Sequence, residues 1–106
     1  MKNIFIYVDD TRKMPKDKIP KFCQEYYQTW GYKETIKLLA AEINKNSKII
    51  IDLDHDLGGN KTGYDIAKWI VASGYEHVEY VIHSANPVGA KNIDSILKHY
   101  GYKKFL

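Results

Sequence analysis

Ile49-Ile50-Ile51-Asp52-Leu53-Asp54-His55-Asp56-Leu57-Gly58-Gly59-Asn60-Lys61-Thr62-Gly63 decides the fold. A continuous apolar run of this kind, with no polar alternation, reads as a strand covered on both faces. It ends in three aspartates and a histidine, followed by a glycine turn. Two other apolar runs end the same way. Ile4-Phe5-Ile6-Tyr7-Val8 runs into Asp9-Asp10, and Val78 to Ile82 runs into His83-Ser84-Ala85-Asn86-Pro87. In open α/β sheets, ligands bind beyond the carboxyl ends of the strands. Three polar strand ends of this composition point to one site for a divalent cation and a phosphate.

Working outward, residues 11–21 carry Pro15, Pro20 and several lysines and read as a loop. Phe22 to Thr29 is a weakly patterned second strand. Glu34 to Ile43 places Ile36, Leu39, Ala40 and Ile43 at helical spacing. Thr62 with Asp65 forms a capping pair for a helix from Gly63 to Ser73, which Gly74 ends. Asn86-Pro87 opens a last helix, with Ile93, Ile96, Leu97 and Tyr100 as its buried stripe and Gly101 as its stop. Tyr102 to Leu106 supplies a short final strand. Alternating strands and helices predict a mostly parallel sheet with helices on both faces, a three-layer α/β sandwich. The first crossover is the exception, because no helix is legible between the first two strands.

The bulk composition narrows the class. The chain has 106 residues, 44% of them apolar, which suits one domain spanning 1–106. A formal net charge of +3, spread along the chain, permits an anionic ligand without demanding nucleic acid. Cys23 is the single cysteine, so no internal disulfide forms and a reducing, cytoplasmic compartment is expected. The apolar start is too short for a signal peptide, and no stretch reaches membrane-spanning length.

The polar clusters carry the chemistry. Asp9 and Asp10 are adjacent carboxylates that repel unless a cation or an arginine neutralises them. Asp54, at the end of the central strand, is their expected third partner, and Asp56 is a further metal candidate. Such an oxygen-rich site suits Mg²⁺ or Mn²⁺, and a histidine ligand would admit a softer ion. Asp52 lies deeper and reads as a structural acid that caps backbone or pairs with a base. His55 and His83 follow apolar strands and suit proton transfer, whereas His77 and His99 read as surface residues. Ser84 and Asn86 lead into a helix N-terminus, where free N–H groups favour anions.

These marks resemble a known family. The acidic pair Asp9-Asp10, Asp54 at the end of the central strand, Gly63 opening a helix and Ser84 ending the next strand resemble a response-regulator receiver domain. The stretches YVDDTRKMP, IDLDHDLG with TGYDIAKWI, and IHSANPVGAKN are similar to the cyclic-phosphate-processing receiver-like family, and together span most of the chain. The resemblance implies a flavodoxin-like receiver fold and action on cyclic phosphates from RNA processing, RNA repair or nucleotide metabolism. It implies Asp9, Asp10 and Asp54 around the cation, with His55, His83, Ser84 and Asn86 lining the phosphate pocket. Arg12 is implied as a further phosphate contact. Signalling receivers also carry a lysine after the fifth strand, for which only Lys103 or Lys104 is available here.

Three uses of the site follow in descending order. The first is a metal-dependent phosphoesterase that opens a cyclic phosphate on a nucleotide or RNA end, with Asp54, His55 and His83 as catalytic residues. The second is a module that binds a cyclic nucleotide or phosphorylated ligand without turnover. The third is a receiver phosphorylated on Asp54.

Overall fold

The computed structural model describes residues 1–106. Five strands, β1 (Asn3–Val8), β2 (Glu25–Thr29), β3 (Lys48–Leu53), β4 (Val78–Ile82) and β5 (Lys103–Lys104), form one sheet in the order β2-β1-β3-β4-β5. Every neighbouring pair is parallel. Three helices, α1 (Tyr32–Asn44), α2 (Gly63–Ser73) and α3 (Pro87–His99), carry the crossovers after β2, β3 and β4. This is the receiver-like, flavodoxin-type order expected from the alternation of elements. No helix is long and apolar enough to cross a membrane.

The two faces of the sheet are covered differently. Ile4, Ile6 and Val8 of β1, Ile49, Ile51 and Leu53 of β3, and Val78 and Tyr80 of β4 point to one side. There they pack with Leu39 of α1, Ile66, Ala67 and Ile70 of α2, and Ile93 and Leu97 of α3. Phe5, Tyr7 and Ile50 point to the other side, under Met14, Ile19, Cys23 and Phe105. Both faces are therefore covered, but the second cover is the 9–24 segment with a 3₁₀ turn at Lys16–Lys18 rather than an α-helix. Two physical reasons account for this. Parallel crossovers are right-handed, so the step from β1 to β2, which runs against the direction of the later steps, takes the opposite face. Pro15 and Pro20 then prevent that segment from propagating as a helix.

The cover is pinned by a side-chain clasp. Gln28 of β2 accepts the Met14 N–H at 2.6 Å and donates to the Arg12 carbonyl at 2.7 Å. The second strand starts at Glu25, not Phe22, because the chain turns at Pro20, whose carbonyl accepts the Cys23 N–H. The first helix starts at Tyr32, two residues before the expected Glu34, and Glu34 bonds the Trp30 N–H just ahead of it.

The predicted caps form. Thr62 accepts the Tyr64 N–H, and Asp65 accepts the Thr62 N–H at 2.8 Å. Gly74 closes α2 with φ at 69°, a conformation that glycine adopts without a β-carbon penalty. Asn86 accepts the Gly89 N–H at 2.9 Å, with Pro87 in the first helical position.

Candidate active site

Asp9, Asp54 and His83 each occupy the first position after a strand, on the adjacent strands β1, β3 and β4. Each continues the ladder by one bond. The Asp9 N–H reaches the Thr29 carbonyl, the Asp54 N–H the Val8 carbonyl and the His83 N–H the Leu53 carbonyl, at 3.0–3.1 Å. The sheet therefore delivers three side chains to one edge, beside the β1/β3 switch point where the chain's crossovers change face. One oxygen of each aspartate and one nitrogen of His83 lie within 4.8 Å of one another.

The electrostatics of the two carboxylates diverge. Asp9 is fully buried, and burial opposes its charge. The N–H groups of Arg12 and Thr11, at 2.8 and 2.9 Å on Oδ1, and the His83 side chain outweigh burial and hold its carboxyl below the usual range. Asp54 is raised, first by burial and then by the charge of Asp9. No side chain donates a hydrogen bond to balance Asp54. Two buried carboxylates facing one histidine nitrogen are a donor set that fits a divalent cation.

His83 is the most constrained side chain of the site. Its Nε2 lies 3.0 Å from Asp9 Oδ2 and its Nδ1 2.5 Å from Asp52 Oδ1. Its ring stacks on Tyr7, with centroids 4.4 Å apart and planes within 4°. Asp52 is buried and faces the loop-covered side. Its second oxygen lies 3.7 Å from Lys18 Nζ, which reaches in from the covering segment over the Tyr7 ring. Asp52 thus pairs with two basic groups, as its depth suggested.

A second group gathers beside α3. His55 Nδ1 lies 2.9 Å from Asp56 Oδ1 and 3.4 Å from the Asn86 amide nitrogen. Its ring rests on the first turn of α3, where a β-carbon on Gly89 would come 2.3 Å from His55 Cγ. Ser84 accepts the Asn86 N–H at 3.1 Å. Arg12 reaches Asp9 Oδ2 with Nε at 3.5 Å, and the rest of its side chain stays largely exposed.

Asp10 and Asp56, both expected near the cation, stand apart from the Asp9–Asp54–His83 cluster. Asp10 packs against the turn at Gly58, where a β-carbon would meet its Oδ2 at 2.7 Å. Asp56 is mostly exposed and is held below the usual carboxylate range, chiefly by its bond to His55. His77 and His99 are exposed. Lys104 pairs with Asp94 of α3 at 3.7 Å and Lys103 is exposed, and neither makes an ion pair with Asp54.

Sequence reasoning offered Tyr7, with Trp30 and Tyr64, as an aromatic for stacking on a base and missed its stack on His83; it also missed Lys18 and Gly89. The place of Tyr7 could have been found from strand parity, since residues 7 and 9 point the same way. Lys18 and Gly89 left no local signal, because their partners are remote in the chain.

Fold and site together define a receiver-like α/β domain with an acidic, histidine-bearing cluster at its carboxyl edge. The chain belongs to the cyclic-phosphate processing receiver domains, whose family model matches residues 4–99. No significant match to a curated protein or to a solved structure was found.

Proposed function

We propose that this domain hydrolyses a cyclic phosphodiester on a nucleotide or RNA end to a phosphate monoester, with water as the nucleophile. The observation that carries this reading is the convergence of Asp9, Asp54 and His83 within 4.8 Å in a chain of this family. A divalent cation, Mg²⁺ or Mn²⁺ by its oxygen ligands, would screen the charge that builds on the phosphoryl oxygens. Arg12 approaches the same edge with a guanidinium able to bind phosphate oxygens in a bidentate manner. Ser84 offers a hydroxyl at the entry to α3, whose first turn favours anions.

His55 is the proton carrier in this reading. Its Nδ1–H donates to the Asp56 carboxylate, with the Asn86 amide nitrogen 3.4 Å from the same atom, which leaves Nε2 for a reacting group. It takes a proton from the attacking water, whose oxygen forms the new P–O bond. The bond from phosphorus to one ribose oxygen breaks, and that oxygen recovers a proton from the imidazolium. The sum is the addition of one water. Lys104 sits against Asp94, which speaks against the receiver alternative of a phosphate stored on Asp54.

The test is a ³¹P NMR assay of 2′,3′-cyclic nucleotides and cyclic-phosphate sugars with Mg²⁺, Mn²⁺ or chelator. Conversion to a monoester that disappears in Asp54→Asn supports the reading. Ligand signals that broaden without conversion over hours overturn it in favour of a binding module.

A further inference from the structure

We infer that Asp52 is a positioning residue that acts through His83 and makes the cation site one of mixed oxygen and nitrogen ligands. The inference rests on the reading that a cation binds at Asp9, Asp54 and His83. Asp52 touches neither the three-atom cluster nor the open edge of the sheet. It is buried and spends Oδ1 on His83 Nδ1 at 2.5 Å and Oδ2 on Lys18 at 3.7 Å. A carboxylate accepts, so Nδ1 carries the proton it shares with Asp52, and the Nε2 proton that faces Asp9 Oδ2 at 3.0 Å is the one a bound cation would replace. The ring is then oriented with Nε2 toward Asp9 and Asp54, and the 4.4 Å stack on Tyr7 prevents it from turning away.

A carboxylate that accepts the N–H of a metal-facing histidine fixes its tautomer and raises the basicity of the other nitrogen. Mg²⁺ prefers all-oxygen ligands and retains its waters, whereas later first-row ions accept imidazole. The Asp52–His83 pair therefore selects an ion such as Mn²⁺ or Zn²⁺ over Mg²⁺. Lys18 reaches this pair from the covering segment, so that segment also helps to set the ring.

The experiment uses the intact chain and needs no turnover. Calorimetric titration with Mn²⁺ and with Mg²⁺ is expected to show at least about tenfold tighter Mn²⁺ binding. In Asp52→Asn, Mn²⁺ affinity is expected to fall about 10- to 100-fold while Mg²⁺ affinity changes little. Long-range ¹H–¹⁵N spectra of the ion-free wild type should show His83 protonated at Nδ1, and Asp52→Asn should lose that proton and keep only the one on Nε2 that faces Asp9. Equal affinities for the two ions, or an unchanged His83 spectrum in a folded Asp52→Asn, overturn the inference. If that variant does not fold, the wild-type spectrum decides, because a bare Nδ1 overturns it. Loss of cyclic-phosphate opening with these signatures intact would count against the proposed reaction alone.

Discussion

The His55 ring lies so close to the backbone of Gly89 that a β-carbon there would come 2.3 Å from its Cγ and 2.6 Å from its Nδ1. The residue after the central strand is thus seated on the first turn of α3 through a contact that only glycine allows. Gly89→Ala is expected to leave the helix formed, since alanine is the better helix former. His55 must swing away, and cyclic-phosphate turnover should fall about 10- to 100-fold, within the range of a lost general acid–base group. Steady-state rates by ³¹P NMR, with circular dichroism for the fold, check this. Unchanged turnover would remove His55 from the proposed mechanism.

Gly63 offers a sharper steric case. A β-carbon there would meet the Asp54 carbonyl oxygen at 2.1 Å and His55 Cα at 3.2 Å, both backbone atoms that cannot step aside. Gly63→Ala should destabilise the protein by about 1–3 kcal/mol, the usual cost of overpacking. It should also shift Asp54 relative to Asp9. Urea unfolding measures the first effect, and weaker Mn²⁺ binding reports the second.

The Asp54 carboxyl is raised by burial and by the charge of Asp9, so its ionised form is less comfortable folded than unfolded. Between its unfolded value, about 3.9, and its raised folded value, the native state holds more protons. Stability contributed by this group is therefore present at low pH and lost as pH rises through that window. Asp54→Asn should raise the melting temperature by several degrees at neutral pH without a divalent cation, and the gain should shrink toward pH 4. Melting curves across pH check this. No gain at pH 7 would show that another group already neutralises Asp54.

Asp94 accepts the Tyr80 hydroxyl at 2.7 Å and also pairs with Lys98 and Lys104. Without a free lysine beside Asp54, incubation with a small phosphodonor such as acetyl phosphate should leave no stable acyl phosphate on the protein. Lys104→Ala should change turnover less than about twofold. Intact mass spectrometry and the ³¹P assay check these outcomes. A phosphate on Asp54 that depends on Lys104 would restore the signalling alternative.

Much of the fold was legible because its signals are local. The isoleucine runs of β1 and β3 have no solvent face, so they announce interior strands of a parallel sheet. Thr62 with Asp65, Gly74, and Asn86-Pro87 mark helix ends through bonds made within a turn, and the structure places α2 and α3 at those ends. The start of α1 was less legible, since Gly31 offers no capping side chain.

The candidate site was legible in part. Residues that directly follow adjacent strands are brought together by sheet pairing, which is why Asp9, Asp54 and His83 meet. Proximity along the chain does not decide where Asp10 and Asp56 go, one residue after Asp9 and two after Asp54. Once the strand ends, the side chains leave in new directions, one to the Gly58 turn and one to His55.

The amino-acid sequence by itself determined the strand and helix order, the family, and the edge of the sheet where polar residues gather. These follow from periodicity, capping and strand-end composition, all read within a few residues. Only the tertiary structure decided that the proline-bearing segment covers the second face, that Lys18 and Asp52 hold His83, and that His55 rests on Gly89. Those contacts join residues 31 or more positions apart, as with His83 and Asp52, or depend on crossover handedness. They exist only when packing and hydrogen bonding across the sheet outweigh the entropy of bringing such distant groups together.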